Sequence, residues 1–133
     1  MTRITMKRKS YLFIFSISIL LSSCSPKIST QLYKSYPPLD ITQEIKVFAL
    51  TDSIPVISTQ LGTAKVEDSG MTTKCKYDDF IEVAKNEARK VGGNAIKVIE
   101  HIPPHSEIRG LAFIYYNCHQ ITVMILKVPE SKD

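Results

Sequence analysis

Three cysteines and three histidines carry most of the reactive chemistry this 133-residue chain could offer. They are Cys24, Cys75, Cys118, His101, His105 and His119. Cys75 lies between Lys74 and Lys76, just ahead of a helical pattern. That setting would acidify a thiol and make it reactive. Three chemistries are open to the later residues. In an oxidising compartment, Cys75 and Cys118 would first be read as a disulfide. The loop closed would be about 44 residues, and its entropy would contribute about 4 kcal/mol. The same pair could instead cycle between thiol and disulfide, although no C-x-x-C spacing marks a redox motif. A metal site could draw on Cys75, Cys118 and His119, with His101 or His105 as a further ligand. Adjacent residues on a strand point to opposite faces, which works against Cys118 and His119 sharing a metal. His101 and His105 flank Pro103-Pro104 and read as exposed loop residues.

Other chemistry is thin. No Ser/His/Asp arrangement or pair of catalytic carboxylates stands out, so no enzyme and no cofactor is expected. Gly92-Gly93-Asn94 follows a helix instead of opening one. It reads as a helix stop and not as a phosphate loop. Charge excludes another class. Residues 1–23 hold Arg3, Lys7, Arg8 and Lys9 and no acid. Taking those four from 17 basic residues leaves 13, against 13 acidic ones. No basic surplus remains for nucleic acid.

The first cysteine belongs to a leader pattern. Arg3 to Lys9 is a basic stretch, and Tyr11 to Leu21 is apolar. Eleven helical residues reach about 16 Å, against roughly 30 Å of bilayer hydrocarbon. That length suits a signal peptide over 1–23 and not a permanent span. Leu21-Ser22-Ser23-Cys24 then resembles a bacterial lipobox. Its cysteine would take a diacylglyceryl group and become the mature N-terminus. Two or three acyl chains on Cys24 would anchor the protein firmly. Ser25-Pro26 follow, without the Asp that retains enteric lipoproteins in the inner membrane. The outer membrane, facing the periplasm, is the expected location.

Residues 24–40 are then expected to be the lipidated cysteine and a flexible tether, because Pro37-Pro38 interrupts any regular element. The domain is expected over 41–128, with a polar tail over 129–133. Alternating apolar residues predict strands over 44–50, 56–66, 95–101, 111–116 and 119–128. Gly62 inside the second suggests a bulge or a close approach of another backbone. Tyr77, Phe80, Ile81, Ala84, Ala88 and Val91 share one helical face. Asp78 and Asp79 sit at its positive end, and Arg89 and Lys90 at its negative end. One helix cannot bridge five strands as parallel crossovers. The expected fold is α+β, a mostly antiparallel sheet of four to five strands with one amphipathic helix on one face.

The order of these features resembles a known family. It comprises the lipobox, Leu61-Gly62 with Val66, the loop Cys75, the helix end Ala88, Gly92, Asn94 and Ala95, and the late Cys118. This is similar to the RcsF-type outer-membrane lipoproteins and, more loosely, to YbjQ-like small α/β domains. It also resembles small envelope lipoproteins of Bacteroidota. The resemblance implies a disulfide-stabilised domain that senses envelope stress through protein contacts. Its YbjQ-like side implies a structural subunit that oligomerises through sheet edges.

Overall fold

The segment with the clearest helical period forms α1 (Tyr77–Lys90). The computed structural model describes residues 25–70, 72 and 74–130. Cys24, its leader and residues 131–133 lie outside the described residues. Asp79 accepts the Lys76 backbone N–H at 3.1 Å and caps the start of α1. The helix stops in a Schellman arrangement. Gly93 N–H donates to Ala88 O at 2.8 Å, and Gly92 N–H to Arg89 O at 3.2 Å. Gly92 takes the left-handed conformation this needs, at φ 77°.

The strands are β1 (Lys27–Leu32), β2 (Lys46–Phe48), β3 (Thr59–Glu67), β4 (Ala95–Ile102), β5 (His105–Arg109), β6 (Ala112–Tyr116) and β7 (Gln120–Lys127). Five form one sheet in the order β1-β3-β7-β4-β2, and β5-β6 form a separate ribbon. Only the β2–β4 pairing is parallel. The helix carries the chain from β3 to β4, on either side of β7. This is the α+β architecture the pattern implies, with a mostly antiparallel sheet.

Period-two alternation builds the core. Ile121, Val123 and Ile125 of β7 are buried with Leu61, Ala64 and Val66 of β3 and Ile96 and Val98 of β4. Phe80, Ile81, Ala84 and Ala88 of α1 close over them. Leu126 points the other way and forms a smaller cluster with Phe48 and Ala95. Residues 49–52 fold toward that second face. There the Lys97 ammonium donates to the carbonyls of Ala49, Leu50 and Asp52. Asn94 ties the start of β4 to the end of β7, exchanging two 2.7 Å hydrogen bonds with the Val128 backbone.

Residues 25–40 are not a free tether, and the folded unit begins well before 41. Lys27–Leu32 pairs antiparallel with β3 along its whole length. Its sequence KISTQL is polar because β1 is a sheet edge with little burial. The chain then turns under the helix. Tyr36 N–H donates to Val91 O and Leu39 N–H to Arg89 O, each at 2.9 Å. These bonds satisfy carbonyls that a helix C-terminus leaves open. Asp40 accepts from Thr42 through N–H at 2.8 Å and Oγ1 at 2.6 Å, which holds its carboxyl below the usual range. Gly62 shows why a bulge was needed here. The register slips between Gln60 and Gly62, and a Cβ at 62 would overlap the Gln31 carbonyl of β1.

A second correction concerns 102–106. Only Pro103 and Pro104 separate β4 from β5, so His101 and His105 are strand residues. The ribbon's first strand, HSEIR, holds one large apolar residue and gives no alternation to read.

Candidate functional site

The cysteines and histidines among the described residues gather at one end of the sheet. Ile28 pairs with Val66, Val66 with Ile121, and Ile121 with His101, so one row crosses four strands, with the Lys27–Glu67 pair one residue beyond it. Helix α1 begins at this end, and the β5-β6 ribbon leaves from it. Two ion pairs fix the row's edge, Lys27 to Glu67 at 3.4 Å and Lys65 to Glu67 at 3.1 Å. The hydrogen bond from Lys65 and the nearby Lys27 keep the Glu67 carboxyl below its ordinary range.

Cys75 and Cys118 are joined as a disulfide, with Cα atoms 4.9 Å apart. The bridge ties the segment ahead of α1 to the residue pair ahead of β7. His119 N–H donates to Cys75 O at 3.2 Å beside it. Cys118 is buried, whereas Cys75 is half-buried. Cys75 lines an open depression of about 500 Å³ with Lys74, Lys76, Asp79, Pro104, Asn117 and His119. While the bridge is closed, neither sulfur is a thiolate that could bind a metal.

His119 borders this depression with Cys75, but its ring is hydrogen-bonded to another histidine. It meets His101, with Nδ1 of His119 2.8 Å from Nε2 of His101. The ring centroids are 5.1 Å apart and the planes differ by 14°. A nitrogen contact this short at that centroid spacing places the rings edge to edge, sharing one proton. Tyr77 of α1 covers His101, with centroids 4.7 Å apart. Burial raises the Tyr77 phenol above its usual pKa, helped by the Asp78 carboxylate. His105 sits apart, stacked on Tyr116 at 4.7 Å and paired with Glu107 at 3.3 Å. The His101–His119 contact was not legible in the sequence. The only signal was that both residues flank the β4–β7 pairing.

This pair predicts a pH dependence. Burial, and then the neighbouring His119, push His101 below the usual histidine range. The unfolded chain therefore binds this proton more readily than the folded one. Stability from this pair is complete above the ordinary histidine range and is lost as pH falls through the depressed value. Thermal unfolding should therefore show a steeper loss from about pH 7 to pH 5 for the native protein than for His101→Gln. Equal slopes would mean that the pair is not coupled to folding.

The sequence predicts the strand over 111–116, but it misses β5 and so the ribbon that the two strands form. Ile108, Phe113 and Tyr115 are mostly exposed, and Leu111 is fully exposed. Ile108 faces Phe113 and Ser106 faces Tyr115, so these side chains share one face of the ribbon. His105, Glu107 and Arg109 lie on the other, joined by contacts of 3.3 Å and 3.2 Å to Glu107.

Among the described residues, no helix is long and apolar enough to cross a membrane, and no group of three or more His, Cys, Asp or Glu side chains is placed to hold a metal ion. No protein-family model and no curated protein matches the sequence. Among solved structures, the crystal structure of a Francisella virulence factor, FvfA, in the orthorhombic form is similar. Its TM-score is 0.48 at 18% identity, covering 76% of this chain and 97% of that chain. A likeness of that extent carries no functional argument. The described residues thus form a small disulfide-linked α+β domain with their cysteines and histidines at one sheet end.

Proposed function

We propose that this chain is a bacterial envelope lipoprotein whose work is binding. Cys24 carries the lipid, the outer membrane holds it, and the domain faces the periplasm. The domain engages a protein or other envelope component, in the manner of RcsF-type stress sensors. The observation that carries this reading is the closed Cys75–Cys118 bridge in a chain that opens on a basic stretch, an apolar run and LSSC. A structural bridge belongs in an oxidising compartment, and the leader would deliver the chain to one.

A redox module is the second reading. One observation favours it: Cys75 opens onto the depression beside Lys74, Lys76 and His119. Positive charge near a sulfur stabilises the leaving thiolate. A metal-handling role for Cys75, Cys118 and His119 would first require reduction of the bridge.

The test of the anchor is the intact mass of protein extracted from its own membranes. The expected product begins at Cys24 and carries a diacyl or triacyl adduct. A chain that retains residues 1–23 or lacks lipid would overturn the anchor.

A further inference from the structure

The β5-β6 ribbon has no packing reason to expose Ile108, Leu111, Phe113 and Tyr115. A two-stranded ribbon alone is marginal in water, and a contiguous exposed apolar face marks a binding surface. The place of the ribbon in the fold says what it meets. The chain upstream of Lys27 leaves the sheet beside Glu67, one residue beyond the row that contains Val66, Ile121 and His101. The ribbon departs from that same row, immediately after Ile102 and Pro103-Pro104. Cys24 precedes Lys27 by three residues. Three extended residues span about 10 Å. A lipid on Cys24 therefore holds this end of the sheet close against the bilayer. With a sixteen-residue tether the domain could have stood about 50 Å away.

We infer that the β5-β6 ribbon is a second membrane contact, with its apolar face inserted into the acyl region beside the lipid anchor. This rests on the lipoprotein reading of Cys24. Each five-residue strand reaches about 17 Å, enough to pass the headgroup layer. The order of side chains along the ribbon fits that depth. Leu111 lies at the turn, where Gly110 takes φ 64°. Ile108 and Phe113 come next, and Tyr115 is nearest the root. That order places the purely apolar groups deepest. The phenol of Tyr115 is left at the headgroup level, where tyrosine is favoured. Glu107 pairs with Arg109 and His105 on the opposite face, which lowers the cost of bringing their charges near the surface. The long Arg109 side chain can keep its guanidinium at the headgroups.

The chain has no tryptophan, so a single introduced one reports alone. The experiment uses the full-length lipidated protein, its adduct verified by mass, in vesicles of phosphatidylethanolamine and phosphatidylglycerol with brominated acyl chains. Phe113→Trp should be quenched several-fold more than Val56→Trp, which is fully exposed next to the opposite end of β3. Adding Ile108→Glu and Leu111→Glu to Phe113→Trp should bring quenching down to the Val56→Trp level, with the folded circular dichroism spectrum retained. Equal quenching of Phe113→Trp and Val56→Trp in lipidated protein overturns the insertion and leaves the anchor standing. If light scattering in detergent then shows dimers that the glutamate pair dissolves, the ribbon's partner is a second copy. Quenching of Phe113→Trp in protein without lipid would keep the insertion while the anchor reading fails.

Discussion

Replacing both Cys75 and Cys118 with serine is expected to lower the melting temperature by about 15 to 30 °C. The bridge spans a separation of 43 residues. A loop of that length removes denatured-state entropy worth about 4 kcal/mol. For a domain of this size, each kcal/mol shifts the midpoint by about 4 to 8 °C. Position adds to the effect, because the bridge joins the approaches to α1 and β7, the two elements at the centre of the fold. Reductant added to the unmodified protein should give a similar fall. The serine pair avoids leaving a lone thiol at the buried Cys118 position. Circular dichroism melts of both samples check this. A fall of only a few degrees would show that packing alone holds the domain.

The second large effect is expected at Gly92. Its φ of 77° would cost an alanine about 1 to 2 kcal/mol through Cβ sterics. The added Cβ would also stand 2.6 Å from Tyr36 Cβ and 2.7 Å from the Pro37 carbonyl oxygen. The proline carbonyl is backbone and the Tyr36 Cβ is fixed to it, so residues 36–37 must lift from the end of α1. Gly92→Ala is therefore expected to destabilise by about 2 to 4 kcal/mol. Amide exchange should quicken at Tyr36 and Leu39, whose N–H groups cap the helix carbonyls. Were residues 36–39 undocked, the cost would stop at the backbone contribution and those amides would already exchange freely.

The elements that were legible are those whose burial repeats with a period. The α1 face from Tyr77 to Val91 and the alternation in β4 and β7 each bury one side against the core. What was hidden had no such repeat. Strand β1 lies at an edge, where a polar sequence costs nothing, so it read as a tether. Strand β5 follows Pro103-Pro104 and carries its apolar residue, Ile108, on the outside. The segment from Tyr36 to Gln43 is held by backbone bonds and by Arg89 Nε donating to Gln43 O at 3.0 Å, none of which leaves a side-chain pattern. At the site, the pairing of Cys75 with Cys118 was the first reading of two cysteines in the compartment the leader pattern leads one to expect. The meeting of His101 with His119 depended on the register of β4 on β7, which no local sequence specifies. The loss of the tether matters most for function. With the proposed lipid on Cys24, it would bring the domain from a flexible leash to the membrane surface.

The central claim is a stapled domain made in an oxidising compartment and held by lipid at one end. It is tested most directly by differential alkylation of protein extracted from its own membranes, read by intact mass with and without reductant. The expected result is a lipid adduct on Cys24, with no alkylation of Cys75 or Cys118 until reductant is added. Free thiols at those two positions in lipidated protein would contradict the staple, and metal retained with them would transfer the site to metal handling.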